Sequence, residues 1–326
     1  MPSSNVGIAA GSMRKFALLG RSVGRDAKRK RRLMSVGIRI RSKLDEVIEL
    51  MVGKGIRMAS SCINIGGIEL NYVLNGPTDA PVVCLNHCFA SDHRYWDSHL
   101  PAFEGFRVLR HDARGHGASG KPLGPYTLEM MATDVVGLLD ALEIDEVHIC
   151  GVSMGGMIAQ MMALDHPDRV ASVALVNTTA QYSDKQRKLW RDRAALVRED
   201  GMDAVRCALL ARWFSEAAAA ARNPGYVYME EMIRGFTVAG FDAASAAMCG
   251  LNTMSRLQNI KAPAIVIATP DDPGVPTETS KKMAASLGAP LHWLEPAQHL
   301  ASLEHVERFN DLMREFLAKV LEAPRV

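Results

Sequence analysis

A serine between glycines is the clearest chemical signal in this sequence. Residues 148–164 read HICGVSMGGMIAQMMAL, so Ser153 stands in a G-x-S-x-G pattern between an apolar strand-like run and a helical run. Small residues at 151 and 155 allow the tight strand-to-helix turn that exposes a nucleophilic hydroxyl. The alternative is a flexible glycine patch at the start of a helix. The strand–turn–helix context favours the nucleophile.

A serine hydroxyl is a poor nucleophile unless a general base takes its proton. Among the ten histidines, His299 follows the last predicted strand, in EPAQHLASLE, and is the best candidate for that base. His292 lies within the strand and fits a sheet-face residue. His305 falls on the closing helix and fits a solvated position.

The base needs an acid that fixes its tautomer and stabilises the imidazolium. That acid is expected after the strand AIVIA, where Asp271 and Asp272 are adjacent in ATPDDPGVP. Only one of the two carboxylates can reach the imidazole. We favour Asp272, because the following Pro273 biases it towards an extended backbone at the turn.

Acyl transfer also needs two backbone amides that stabilise an oxyanion. One is expected from Met154, directly after the nucleophile, and the other from Phe89 or Cys88 in the early loop LNHCFASDHRYW. We take Phe89 as the second donor. Cys88 is interpreted as a thiol in the pocket wall rather than as a second nucleophile.

No metal or other cofactor is predicted. Asp112, Arg114 and His116 in RHDARGHGASGKP have the wrong spacing for a metal site, and the segment is interpreted as a glycine-rich turn with Asp112 and Arg114 as structural partners. The six cysteines form no C-x-x-C pair, and H-E-x-x-H is absent. This cysteine usage is typical of a reduced, cytoplasmic protein.

Short apolar runs alternate with helical segments from residue 60 onward. The rhythm predicts an α/β fold, with a mostly parallel central sheet flanked by helices. Residues 66 and 67 predict a hairpin turn, and residues 303–321 an amphipathic helix. Residues 181–258 lack strand candidates and predict an inserted helical cap, whose first helix begins at the capping box SDKQ.

The N-terminal part of the chain differs in charge from the rest. Residues 1–60 hold 14 basic and 4 acidic side chains, against 24 and 32 in the remainder. We expect residues 1–57 to be a disordered basic extension or an over-called start, ahead of a domain at 58–326, although residues 40–52 could form a short helix. Nucleic-acid or membrane binding is not expected of the domain, and homo-oligomerisation stays open.

Several motifs resemble those of the α/β-hydrolase superfamily. They are RHDARGHGAS, GVSMGGM, IVIATPDDPGVP and PAQHLASLE, across about residues 60–322. More narrowly, the chain resembles the 3-oxoadipate enol-lactonase group in LNHCFASDHRYWD, in RWF at 212–214 and in EPAQHLASLEHVERF. The resemblance implies Ser153, Asp272 and His299 as the triad.

The same resemblance implies a substrate and a pocket. An enol lactone of this class carries a free carboxylate, so a cation is expected beside it, from Arg94, Arg212 or Arg234. Cys88, Arg94, Trp213 and Phe241 are the expected substrate-binding residues. Phe241 stands where the group commonly has a tyrosine.

The sequence therefore predicts a serine hydrolase of esters or lactones, with 3-oxoadipate enol-lactone hydrolysis in aromatic-compound catabolism as the best candidate. A general carboxylesterase, a C–C hydrolase of ring-cleavage products and a perhydrolase would use the same triad. A non-catalytic ligand-binding protein of the same fold is the alternative outside enzymes.

Overall fold

A computed structural model describes residues 60–323 of the 326-residue chain. The predictions for the basic extension at 1–57 and for a helix at 40–52 lie outside the described residues. Among the described residues, no helix is both long and apolar enough to cross a bilayer.

An eight-stranded sheet forms the centre of the fold, in the order β1-β2-β4-β3-β5-β6-β7-β8. β1 and β2 are antiparallel to their neighbours, whereas β3 to β8 run parallel. This confirms the predicted α/β class and the hairpin at 66–67. The strands are β1 Ser61–Ile65, β2 Ile68–Asn75, β3 Val82–Asn86, β4 Arg107–His111, β5 Val147–Val152, β6 Val170–Val176, β7 Ala264–Ala268 and β8 Leu291–Trp293.

Helices cover the sheet, as parallel strands require of their crossover connections. β5 is buried along its whole length, which explains its continuous apolar run rather than an alternating pattern. The helices outside the cap are α1 Leu128–Ala141, α2 Met154–Asp165, α8 Thr277–Leu287, α9 Ala301–Glu304 and α10 Val306–Glu322.

Five helices lie between β6 and β7, where the sequence predicts the cap. Ser183 and Gln186 form the predicted capping box at the start of the first one. The five are α3 Asp184–Asp200, α4 Asp203–Trp213, α5 Glu216–Ala220, α6 Pro224–Gly235 and α7 Val238–Cys249.

The cap contacts loops that follow the carboxyl ends of the strands. Gln186 of α3 donates to the Gly274 carbonyl at 3.0 Å, and Leu300 donates through its backbone to the Trp213 carbonyl at 2.9 Å. The carboxyl ends of parallel strands meet at one edge of a sheet, which is where α/β proteins bind ligands. Residues following β3, β5, β7 and β8 therefore converge beneath the cap.

Candidate active site

Ser153 occupies the turn between β5 and α2 in a backbone conformation that side chains rarely adopt. Its φ is 54° and its ψ is −116°. The turn is held on both sides: the Ser153 amide donates to the Val176 carbonyl at 2.9 Å, and the Thr178 hydroxyl donates to the Ser153 carbonyl at 2.7 Å. Strained conformations of this kind persist only where surrounding contacts enforce them.

The flanking glycines are required by contact with neighbouring backbone. A Cβ atom on Gly151 would lie 2.2 Å from the Gly155 carbonyl oxygen, and one on Gly155 would lie 2.1 Å from the Asn86 carbonyl oxygen. Neither neighbour is a flexible side chain that could move aside. The two glycines thus let β5, α2 and the end of β3 approach closely enough to form the turn.

Ser153, His299 and Asp272 form one continuous hydrogen-bonded chain. The Ser153 Oγ–His299 Nε2 distance and the His299 Nδ1–Asp272 Oδ2 distance are both 2.7 Å. An ionised carboxylate can only accept, so His299 donates from Nδ1. Its Nε2 is then free to accept the serine proton. This is the geometry required for a general base that activates a hydroxyl.

The structure places Asp272, and not Asp271, against the imidazole. The Asp272 side chain is 1% exposed, and its Oδ1 accepts from the amides of Gly274 at 2.6 Å and Val275 at 3.1 Å. Asp271 is exposed. The turn after β7 therefore fixes one carboxylate and leaves its neighbour in solvent.

Two backbone amides near Ser153 have no acceptor among residues 60–323. Met154 is the first residue of α2, where an amide has no intrahelical partner. The Phe89 amide, in the loop after β3, also donates to no described group. These are the two amides predicted from the sequence to stabilise the oxyanion.

A small cavity of about 20 Å³ opens onto the serine and the histidine. It brings together Ser153 and His299 with the predicted wall residues Cys88, Phe89 and Trp213. Its remaining lining residues are Met157, Asn177, Thr178, Thr179, Tyr182, Trp190, Arg212, Gly274, Val275 and Leu300.

Cys88 lies in this wall as an inert thiol. Burial raises its pKa to about 12, and its Sγ donates to Ser91 Oγ at 3.3 Å. Because the thiolate is the nucleophilic form, a thiol with this pKa stays unreactive near neutrality.

The expected role of Arg94 is wrong for this cavity. Its guanidinium pairs with Asp92, with an Nη2–Oδ2 distance of 2.8 Å, and lines a different cavity. Asp92 caps the 3-10 helix at 93–103, and Arg94 is the second residue of that helix. The Asp92 carboxylate also accepts from the Arg94 amide, so the two side chains lie close together.

Phe241 is also absent from the lining of the cavity. It is fully buried one layer behind the wall, with its ring centroid 4.9 Å from that of Phe89 in an edge-to-face contact. Helical spacing in α7 directs Phe241 inward but does not tell which layer it reaches. It therefore supports Phe89 rather than facing a ligand.

Four lining residues come from the cap side: Tyr182, Trp190, Arg212 and Trp213. Tyr182 and Trp190 are not predicted from the sequence, because nothing in their local pattern distinguishes a cavity wall from a core face. Arg212 was one of three candidate cations. The third, Arg234, has a side chain that is 64% exposed and lies 4.0 Å from Glu230.

A second His–Asp pair lines the separate cavity that contains Arg94. His93 Nδ1 lies 2.8 Å from Asp112 Oδ1, and the other carboxylate oxygen accepts from Asn71 at 2.9 Å. Although burial alone would raise the pKa of Asp112, hydrogen bonds from His93 and nearby positive charge hold it well below its usual value. No serine of the described residues hydrogen-bonds the His93 ring.

We interpret this second pair as structural, because the carboxylates of Asp112 and the neighbouring Asp92 already accept hydrogen bonds from protein groups. Asp92, His93 and Asp112 present potential ligand atoms within 4.8 Å of one another, but Asp92 accepts from Arg94 and Tyr228. The predicted pairing of Asp112 with Arg114 is wrong. Arg114 instead pairs with Asp134 of α1 at 2.5 Å.

Comparison with known proteins identifies the family and several relatives of this chain. Residues 81–306 match the family model described as the alpha/beta hydrolase fold. A 3-oxoadipate enol-lactonase from Acinetobacter baylyi is 30% identical, over 74% of this chain and 91% of the relative. RutD of Variovorax paradoxus, named as a carbamate hydrolase, is 32% identical, over 79% of this chain and 99% of the relative.

A solved structure adds a similarity in three dimensions. The enol-lactonase from Burkholderia xenovorans LB400 superposes with a TM-score of 0.76 at 31% identity, covering 79% of this chain and all of that one.

Proposed function

Because the chain belongs to the α/β-hydrolase family, we propose that it is a serine hydrolase that cleaves carboxylic esters or lactones through an acyl-enzyme. The observation that carries this proposal is the unbroken hydrogen-bonded chain from Ser153 through His299 to Asp272, with 2.7 Å at each link. It opens onto a cavity beneath the cap.

The proposed reaction has two half-steps. His299 takes the Ser153 proton as Oγ attacks the carbonyl, and Asp272 stabilises the resulting imidazolium. The amides of Met154 and Phe89 stabilise the oxyanion. His299 then protonates the leaving oxygen, and a water molecule repeats the sequence on the acyl-enzyme. No metal enters these steps.

An enol lactone is the proposed substrate class, with 3-oxoadipate enol-lactone in aromatic-compound catabolism as the leading member. Support comes from the two enol-lactonases that are similar to this chain and from the motifs shared with that group. In such a substrate the leaving group is an enol, which tautomerises to a ketone.

All six cysteines lie in the described part and are free thiols, which supports a reducing compartment such as the cytoplasm.

Labelling with a fluorophosphonate tests whether the serine is a nucleophile. We expect stoichiometric labelling of wild type and none of Ser153→Ala, measured by intact-protein mass spectrometry. Ser172→Ala is the matched control, since Ser172 is a buried serine that also hydrogen-bonds a histidine, His148, at 2.9 Å. Absent labelling of wild type, or equal labelling of Ser153→Ala, would support the non-catalytic binding protein instead.

A substrate panel then separates the members of the class. It should contain enol lactones, aryl esters, ring-cleavage products with a scissile C–C bond, carbamates, and an acyl donor with peroxide. We expect the highest kcat/KM for enol lactones, and at least about 10⁴-fold less turnover in Ser153→Ala for every active compound. Preference for another compound would leave the serine mechanism intact and reassign the substrate.

A further inference from the structure

Arg212 is the cation of the catalytic cavity. It lies in the last turn of α4, half-buried, and lines the same cavity as Ser153 and His299. Its guanidinium extends over the turn after β7: a Cβ atom on Gly274 would lie 2.8 Å from Arg212 Nη2. The absence of a side chain at Gly274 leaves room for this charge beside the acid loop.

This guanidinium has no partner within the described chain. No carboxylate of residues 60–323 lies within 4.0 Å of it, and it donates to no described acceptor. Asp272 lies nearby, but its oxygens accept from His299 and from two amides of its own turn. Arg212 is only partly buried, so its guanidinium is open to a bound anion, with which a charge-assisted hydrogen bond would form.

A second positive charge, on Arg193, lies close enough to Arg212 to interact with it electrostatically. Arg193 of α3 stacks on Trp190, a lining residue, with Cζ 5.2 Å from the ring centroid. Its Nη1 is buried and lacks an acceptor among residues 60–323. Burial, together with the charge of Arg212, lowers the pKa of Arg193 to about 10. Two cations that repel each other across one cavity wall create a positive potential that favours an anion.

A helix-stabilising role is the simpler explanation for Arg212. A cation in the last turn of a helix interacts favourably with the helix dipole, and this would need no ligand. It does not explain why the side chain lines the catalytic cavity, nor why Arg193 adds a second charge on the same side. These two observations point to a ligand.

We infer that Arg212 binds a carboxylate of the substrate, so that the protein selects acidic esters or lactones over neutral ones. The inference rests on the proposed ester or lactone hydrolysis at Ser153. The planar guanidinium suits bidentate recognition of a carboxylate. With the carboxylate held by Arg212 of the cap, the scissile carbonyl can meet Ser153 in the same cavity.

A pair of matched aryl esters tests this selectivity. The 4-nitrophenyl hemiester of glutaric acid carries a free carboxylate, and 4-nitrophenyl hexanoate is its neutral counterpart. We expect Arg212→Gln to lower kcat/KM about 100-fold for the hemiester, mainly through KM, and less than about 3-fold for the hexanoate. Arg212→Lys should recover part of the loss because it restores the charge.

Two arginines provide matched controls. Arg94→Gln alters a guanidinium that lines the other cavity, and Arg234→Gln alters an exposed one on the cap. Both variants should keep the wild-type ratio between the two esters. Equal losses on both esters in Arg212→Gln, or an unchanged ratio, would overturn the carboxylate site.

Binding without turnover separates this inference from the proposed function. Isothermal titration of glutarate into Ser153→Ala and into Ser153→Ala/Arg212→Gln should show about 100-fold weaker binding in the double variant. If labelling of Ser153 fails while this difference holds, the hydrolase proposal fails and the carboxylate site stands. If labelling succeeds and glutarate binds both proteins equally, only the carboxylate site fails.

Discussion

Two histidine–aspartate pairs in this molecule have nearly the same internal geometry and different surroundings. His299 and Asp272 are 2.7 Å apart, and His93 and Asp112 are 2.8 Å apart. In both pairs the acid side chain is 1% exposed and the histidine side chain is mostly buried. His299 lines a cavity that also contains Arg212, and both His93 and Asp112 line a cavity that contains Arg94.

The pairs differ in what lies beyond them. The free nitrogen of His299 faces Ser153 on a strained turn, whereas no described serine hydrogen-bonds His93. Arg212 has no described counterion, whereas Arg94 is neutralised by Asp92. A His–Asp pair is therefore weak evidence for catalysis. The third hydrogen-bonded member, Ser153, and the cation without a described counterion distinguish the proposed reactive centre from the second pair.

Replacing the two histidines should give the largest contrast. We expect His299→Gln to lower kcat for the best ester by about 10⁴-fold or more, since the base is lost. His93→Gln should keep kcat within about 3-fold of wild type, because nothing it contacts belongs to the reaction. Steady-state rates on one ester decide this. A loss above 100-fold in a folded His93→Gln protein would remove the distinction between the pairs.

Replacing the two acids sharpens the contrast, because rate and stability should separate. Asp272→Asn is expected to lower kcat about 10⁴-fold, since the amide favours the wrong imidazole tautomer. Asp112→Asn should leave kcat nearly unchanged and lower the free energy of unfolding by about 2 kcal/mol. Its carboxylate accepts from His93, Asn71 and the amide of Ala118.

Both effects of the acid replacements are measurable on the same samples, by rates and by urea unfolding. A large rate loss in Asp112→Asn at unchanged stability would contradict the structural role of that carboxylate.

Acidification should lower the stability of the fold rather than the rate, through two buried histidines close to Asp112. Burial lowers the pKa of His116 to about 3 and that of His111 to about 4. In the unfolded chain these histidines have their ordinary pKa of about 6.5, so above that pH their protonation does not reduce the free energy of unfolding. It falls as the pH drops towards 4, by about 1.4 kcal/mol per pH unit for each ring.

The variant His116→Phe isolates one of these rings. It keeps an aromatic ring beside Phe89 and Phe236 and removes one titrating group. The dependence of unfolding free energy on pH, measured between pH 6.5 and 4, should become shallower by about 1.4 kcal/mol per unit. An unchanged slope would show that His116 does not stay neutral in the folded protein.

The fold and the three hydrogen-bonded residues follow from local patterns in the sequence. Ser153 lies where an apolar strand pattern changes to a helical pattern, and close backbone contacts require the glycines on either side of it. Asp272 and His299 follow strands of a parallel sheet, whose carboxyl ends converge. Such positions are determined by strand order alone, so no knowledge of packing is needed to predict that they meet.

The cavity wall could not be predicted in the same way. Arg94 is neutralised by Asp92 two residues earlier, the residue that caps the 3-10 helix at 93–103. Phe241 and Trp190 both point inward from cap helices, yet only Trp190 reaches the cavity. Depth within a packed layer depends on tertiary contacts that one sequence does not display.

The backbone and the side chain of Phe89 have different roles. Its amide is a proposed oxyanion donor, and its ring is clamped by Trp190, Phe236 and Phe241 from the cap side. The position of that donor therefore depends on cap side chains, of which Phe236 and Phe241 lie outside the lining of the cavity. Substitutions that enlarge or shorten these aromatic side chains should therefore shift the Phe89 amide and change the turnover rate. A change in the cap sequence would then alter both the shape of the pocket and the rate of the reaction.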